Sequence, residues 1–314
     1  MEQIRMRVEK RRALTPSISE FTLAPVDDQV TLPDFDPGAH ITVETPSGAM
    51  RRYSLVSDGS DHPKSYVIAV KREPASRGGS ASMHDEAQEG TELNVEPPEN
   101  DFPLTDVSKY LLIAGGIGVT PIYAMARHLA KKGKELRIIY CSRSPEESAY
   151  LEDLNKDFEG RIIVHHDEGD PSKSYDFWDD FLTPRATHVF CCGPKPFMEE
   201  VKAVSGHWPE GRIHFEDFKP VEVVREDDKP FEVELSKSGE TLTVPEDRTI
   251  LETLRDAGYK TVSSCESGTC GTCKTKLLSG EVDHRDMVLM DEEKEDFIMI
   301  CVSRAKSGRL VLDL

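Results

Sequence analysis

Between residues 4 and 98 apolar and polar positions alternate with period two, as in I-S-E-F-T-L-A from Ile18, H-I-T-V-E-T from His40, R-R-Y-S-L-V from Arg51 and S-Y-V-I-A-V-K-R from Ser65. Side chains two apart share one face of a strand, so these runs predict short strands, and the turn residues between them predict a small antiparallel barrel. One short helix is expected near 82–87. From Lys109 the period changes, with buried strands expected at 110–114, 136–140, 161–165, 187–191 and 213–215 and helices at 121–132 and 197–204. Strands alternating with helices imply a doubly wound parallel sheet covered on both faces. Residues 219–230 are charged, proline-bearing and aperiodic, and read as a linker. Beyond it F-E-V-E-L and T-L-T-V-P predict a hairpin and 249–257 a helix. Three domains are expected, over 1–103, 104–222 and 223–314.

A formal charge of −19 and a pI near 5.0 exclude the polyanionic partners, nucleic acid and anionic membrane surfaces. The charge serves either solubility or the steering of a basic protein partner. The start, M-E-Q-I-R-M-R-V-E-K, lacks the apolar core of a signal peptide, and no apolar run approaches the roughly 18 residues of a membrane span. Seven cysteines, an odd number with Cys191 and Cys192 adjacent, argue against a disulfide framework. A cytoplasmic protein, monomeric, is expected.

Four of those cysteines change the picture. Cys265, Cys270, Cys273 and Cys301 stand as C-x4-C-x2-C followed 28 positions later by C, the spacing with which plant-type ferredoxins hold a [2Fe–2S] cluster. Gly268 and Gly271 let the loop fold back so that thiolates and N–H groups face the inorganic sulfurs. Zinc is the alternative, but structural zinc usually takes two C-x2-C knuckles and this chain has one such step beside an x4 step.

Nucleotide chemistry is suggested at three further places. A-G-G-I-G-V-T-P, from Ala114 to Pro121, follows the first central strand; its glycines serve either a pyrophosphate at the helix N-terminus or tight packing. F-C-C-G-P from Phe190 would end another strand of the same sheet, so both loops would line the crevice where such sheets bind ligands. Cys192 is expected to face that crevice and Cys191 to pack on the opposite side. In the first segment Arg51, Tyr53 and Ser54 combine a cation, a ring and a hydroxyl on one strand, and Gly78, Gly79 and Ser80 make a backbone nest for a phosphate.

With R-x-Y-S, G-G-x-G-x-T-P, C-G-P and the cysteine motif in this order, the chain resembles the phthalate dioxygenase reductase family over nearly its whole length. The resemblance implies a flavin-binding barrel, a nicotinamide domain and a C-terminal β-grasp ferredoxin domain. It implies that Arg51, Tyr53 and Ser54 hold FMN, with Ser54 near the reactive N5 edge. Ala69 and Lys71 would continue the flavin contacts, Gly78, Gly79 and Ser80 would cradle the phosphate, and Phe218 would cover the ring. Gly115, Gly116, Gly118, Thr120 and Pro121 would take the pyrophosphate of NADH, with Cys192, Gly193 and Pro194 beside the nicotinamide. Ser54 and Cys192 are thus the residues it places at the reaction. Arg143 either stacks on the adenine or pairs with a 2′-phosphate; the resemblance favours NADH, whereas local chemistry alone admits NADPH.

A nicotinamide gives up two electrons together and a [2Fe–2S] cluster takes one at a time, so a flavin converter is required between them. The expected function is electron transfer from NADH through FMN and the cluster to a separate oxygenase, because no C-x-H with C-x2-H pair that would ligate a Rieske centre occurs in this chain. A Rieske oxygenase or demethylase is the expected partner, with a cytochrome P450 or another monooxygenase as the alternative. A non-enzymatic redox-sensing module is the reading from a different class, and the intact glycine turn and R-x-Y-S strand oppose it.

Overall fold

The computed structural model describes residues 3–314 apart from 60–61, 75–77, 185, 210, 219–224, 226, 264–267, 269–270 and 287. It divides into two compact units, Met1–Phe218 and Lys219–Leu314. In the first, six strands, β1 (Ile4–Thr15), β2 (Ile18–Pro25), β3 (His40–Glu44), β4 (Met50–Ser54), β5 (Tyr66–Lys71) and β6 (Glu92–Val95), form an antiparallel sheet in the order β4-β3-β6-β1-β2-β5. A bridge between Leu55 and Ile68 joins its two ends, which makes the predicted barrel. Helix α1 (Gly79–Asp85) begins three residues earlier than the sequence suggested, because Gly78 enters it at φ 100°. That places the R-G-G-S glycines at the helix start rather than in a loop ahead of it.

The second layer is a five-stranded parallel sheet of β7 (Lys109–Gly115), β8 (Glu135–Ser142), β9 (Ile162–His166), β10 (Thr187–Cys192) and β11 (Ile213–Glu216), ordered β11-β10-β7-β8-β9. Alternate residues of β7 supply its two faces. Tyr110, Leu112 and Ala114 pack with α2 (Val119–Lys131) and α3 (Leu151–Asp157), whereas Leu111 and Ile113 pack with α4 (Trp178–Phe181) and α5 (Lys195–Ser205). The strand order reverses between β7 and β10, the switch point at which open α/β sheets bind ligands. The apolar cluster on the α2 face also takes in Ile18, Val56, Ala69 and Phe102 from the barrel, so barrel and sheet share one core.

In the second unit β12 (Phe231–Leu235) and β13 (Thr241–Val244) form the expected hairpin. With β14 (Lys274–Ser279), β16 (Phe297–Met299) and β18 (Arg309–Leu312) they make a mixed sheet, and β15 (Val282–Asp283) pairs with β17 (Arg304–Ala305) beside it. Helix α6 (Ile250–Asp256) is held at its start by a reciprocal capping box between Thr249 and Glu252 and buries Ile250, Leu251 and Leu254. Of the expected linker, residues 219–224 and 226 lie outside the described residues. Asp228 is buried between Arg285 and Arg304 of this unit, with 6% of its side chain exposed, so the chain around it is held in place.

Candidate functional site

Closing the barrel brings Arg51–Ser54 of β4 and Ala69–Lys71 of β5 to either side of one seam, next to the Leu55–Ile68 bridge. Arg51 reaches from this seam to α1. A β-carbon on Gly79 would lie 2.8 Å from Arg51 Nε, so the arginine side chain stands directly against the helix start. The resulting corner joins a cation to the N–H groups of a helix start, the chemistry that a terminal phosphate needs. Ser80 Oγ accepts from the Glu73 N–H at 3.1 Å and keeps its own proton to donate.

Two polar atoms beside that corner are buried without a partner, Tyr53 Oη and Ser54 Oγ. Each such orphan costs about 1–3 kcal/mol, a cost relieved when a ligand supplies the missing hydrogen bond. Burial pushes the Tyr53 phenol up, so it stays protonated and available as a donor. The seam therefore fits an FMN: donors on β4, a phosphate corner at α1, and glycines where the backbone must be approached. The Ala69 side chain lies in the shared core, which leaves its backbone for any flavin contact. Lys71 is half-buried and sits 3.8 Å from Glu73. The Phe218 ring, 40% exposed, has apolar surface left to cover.

At the switch point the glycines divide their work. A β-carbon on Gly118 would come within 2.2 Å of the Cys192 carbonyl oxygen, and one on Gly115 within 2.8 Å of the Phe197 ring. A β-carbon on Gly193 would meet the same ring at 2.7 Å and Gly115 Cα at 3.0 Å. These three are glycines because the β7 and β10 loops press against each other. Gly116 differs: its φ is 54° and nothing lies within 4 Å of its would-be β-carbon, so open space is there for a pyrophosphate. Thr120 donates to the Ile117 carbonyl at 3.1 Å and Pro121 occupies the first turn of α2, both buried. Arg143 is exposed at the end of β8, where its carbonyl accepts from the Glu168 N–H at 2.9 Å.

Cys191 and Cys192 lie in the apolar clusters on opposite faces of the sheet. Cys192, expected to face the crevice, is completely buried in the apolar core, and burial pushes its thiol well above the ordinary range, so it is a neutral thiol and not a thiolate. Sequence reasoning missed its neighbour. Glu216 pairs with Cys192 in register at the end of β11, and its Oε2 is buried without a partner. Burial raises its carboxyl to about 8 despite the opposing pull of Arg52, so it stays protonated at neutral pH. Period two along I-H-F-E was a usable signal, since it puts Glu216 on the face of His214 rather than with Ile213 and Phe215.

In the second unit Cys273 and Cys301 are buried, while Cys265 and Cys270 lie outside the described residues. Gly268 and Gly271 have φ of 74° and 80°, and a β-carbon on Gly268 would strike Val302 at 2.8 Å. Gly268 thus stands against the turn after β16 that carries Cys301, a turn where the sequence had suggested a strand. A buried thiol pair under a glycine loop fits a [2Fe–2S] cluster, whose ligands must be deprotonated and shielded from water.

Residues 112–203 match the family model described as an oxidoreductase NAD-binding domain, and residues 233–306 match the 2Fe-2S iron-sulfur cluster binding domain. The chain is 47% identical over 316 residues to the phthalate dioxygenase reductase of Burkholderia cepacia, covering 99% of this chain and 97% of that one. It is 46% identical over 313 residues to the phthalate 4,5-dioxygenase oxygenase reductase subunit of Pseudomonas putida, covering 98% and 96%. Among solved structures, a phthalate dioxygenase reductase described as modular for electron transfer from pyridine nucleotides to [2Fe-2S] superposes with a TM-score of 0.87 at 46% identity, covering 99% and 98%.

Proposed function

Because the chain belongs to the phthalate dioxygenase reductase family, we propose that the residues gathered at the seam and the switch point carry its electron transfer and that its partner is a Rieske-type oxygenase on another chain. The protein is an NADH-dependent flavin iron–sulfur oxidoreductase that supplies electrons to an oxygenase. FMN and the [2Fe–2S] cluster together convert a two-electron donor into single-electron steps. What the chain's own residues contribute is orientation.

Arg51, the N–H groups at Gly78–Ser80 and the Ser80 hydroxyl bind the terminal phosphate, while Tyr53 and Ser54 donate to the flavin edge. Gly116 admits the pyrophosphate of NADH, Thr120 and Pro121 shape the turn around it, and Gly115 and Gly118 hold that turn against Cys192, Gly193 and Pro194, where the nicotinamide enters. Glu216, protonated, adds no negative charge to a crevice that must accept a dinucleotide anion. Phe218, whose ring has apolar surface left exposed, would cover the flavin ring. Arg143 stacks on the adenine. Cys265, Cys270, Cys273 and Cys301 hold the cluster.

The single observation that carries the flavin site is the pair of orphaned donors, Tyr53 Oη and Ser54 Oγ, beside the Arg51–Gly79 corner. Fluorescence titration of the apoprotein tests it. FMN should bind well over tenfold tighter than riboflavin, and Arg51→Ala should erase most of that difference; equal affinity in both proteins would reject the phosphate corner. The Rieske reading is supported by the two named relatives, both reductases of dioxygenases by name. Co-purification of the oxygenase from the source cell, working in the cytoplasm with a monomeric reductase, should yield a Rieske electron-spin signal; a haem spectrum there would replace it with the P450 alternative.

A further inference from the structure

Barrel and parallel sheet meet at a tyrosine that no cofactor contact explains. Tyr150 stands ahead of α3 with φ 59°, a left-handed conformation uncommon for a residue with a large side chain. Its hydroxyl crosses to the barrel and donates to Glu20 Oε2 at 2.8 Å. Arg12 donates to both oxygens of the same carboxylate at 3.1 Å, lies over the Tyr150 ring and approaches Asp153 at 3.8 Å. Burial and the neighbouring carboxylate raise the phenol far above its ordinary range, so it remains a donor at every pH the protein meets.

Both ends of this contact lead towards the reacting edges. Glu20 pairs in register with Ala69 on β5, the strand across the flavin seam. The Tyr150 ring packs on Tyr123 at 5.3 Å, and Tyr123 lies one turn beyond Thr120 on α2, the helix that opens with the glycine turn. Tyr123 is in turn held by Asp157 of α3 at 3.0 Å, and the turn itself packs on β5. We propose that Tyr150 is a positioning residue, whose hydrogen bond to Glu20 sets the angle at which the glycine turn at 116–118 meets β5 and thereby the approach of nicotinamide to flavin. The inference rests on the reading given under Proposed function.

Stopped-flow reduction of the bound flavin by NADH tests it in the holoenzyme. Tyr150→Phe keeps the ring and loses only the donor; its limiting rate should fall about tenfold, since a displacement of an ångström costs up to about a hundredfold, while the NADH dissociation constant stays within about twofold. Amide exchange over 116–123 should accelerate in the same variant, and Glu20→Ala, which also releases Arg12, should cost less in the Tyr150→Phe background than in wild type, because the Tyr150 bond is already gone there. A lowered melting temperature with an unchanged limiting rate would overturn the proposal and leave Tyr150 as scaffold. So would a rate loss with unaltered exchange over 116–123, or fully additive losses. A wild-type flavin that NADH does not reduce would overturn the underlying reading together with the proposal, whereas an active wild type matched by its variant would overturn the positioning role alone.

Discussion

The two compact units differ in where their buried polar groups lack partners. In residues 1–218 the side-chain atoms buried without a hydrogen-bond partner include Tyr53 Oη, Ser54 Oγ and Ser57 Oγ on or just beyond β4, Glu216 Oε2 at the end of β11 and Tyr140 Oη on β8; in residues 219–314 His284 Nδ1 is buried so, 3.6 Å from Asp286. In residues 219–314 three buried charges are satisfied within the unit. Arg285 forms a bidentate pair with Asp228 at 2.5 and 2.8 Å and bonds Asp283 at 2.8 Å, and Arg304 donates to the carbonyls of Arg248, Pro245 and Lys229. Unsatisfied donors at about 1–3 kcal/mol each are tolerable where a ligand completes them. A completed network is scaffold. The difference separates a place that awaits a cofactor from one that holds up a fold.

The contrast can be broken from both sides. The largest effect belongs to the cluster: Cys273→Ala should remove nearly all of the roughly two iron atoms per chain while the protein stays yellow with flavin, as metal analysis and absorbance would show. Iron retained in full would mean that Cys273 is not a ligand. Next comes the scaffold. Asp228→Ala takes from two buried guanidinium groups the carboxylate they share and should cost the second unit about 3 kcal/mol in denaturant unfolding; a loss under about 1 kcal/mol would show that Asp283 and the carbonyls suffice.

Ser54→Ala should do the reverse, leaving the apoprotein's stability unchanged or raised by up to about 1–3 kcal/mol, because the deleted hydroxyl has no partner to lose, yet slowing flavin reduction by NADH about a hundredfold. Comparable losses in both assays would make Ser54 part of the scaffold. Glu216 gives a smaller, pH-dependent effect. Its folded carboxyl titrates near 8, above the value of about 4.5 in the unfolded chain, so its contribution to stability is complete below about pH 4.5 and is lost as pH rises through about 8. The melting temperature of wild-type apoprotein should therefore decline across that window relative to Glu216→Gln, and parallel curves would show that the carboxyl is already ionised.

The smallest effect concerns charge. The stretch from Val221 carries 21 acidic against 13 basic side chains, with a dense run at Asp291–Asp296. Within that run Asp291 pairs with Lys294 and Glu293 with Lys274, which leaves Glu292, Glu295 and Asp296 exposed to a partner. Partner reduction should slow as ionic strength rises towards 0.15 M, where the field reaches only about 8 Å. A flat profile would assign the acidity to solubility.

Much of this architecture was legible in the chain because its signals are local. Period two marked the barrel strands, strand–helix alternation marked the parallel sheet, and glycine at φ 74° in the cysteine loop follows from the chemistry of that turn. What was not legible depends on contacts far apart in sequence. Glu20 and Tyr150 are 130 positions apart, and Asp228 looks like a solvated linker acid until Arg285 and Arg304 fold around it. The glycines at 115 and 118 read either as a phosphate cradle or as tight packing, and only the fold shows that a β-carbon at either would strike Phe197 or the Cys192 carbonyl, whereas one on Gly116 would meet open space.

The order of electron flow is tested most directly by separating the two acceptors of one variant. Cys273→Ala should still reduce ferricyanide with NADH at a rate close to wild type, because that acceptor drains the flavin, while its reduction of cytochrome c, which relies on the one-electron cluster, should fall by at least about tenfold. Equal loss of both activities would contradict the account, since electrons would then not pass from NADH to the flavin before the cluster.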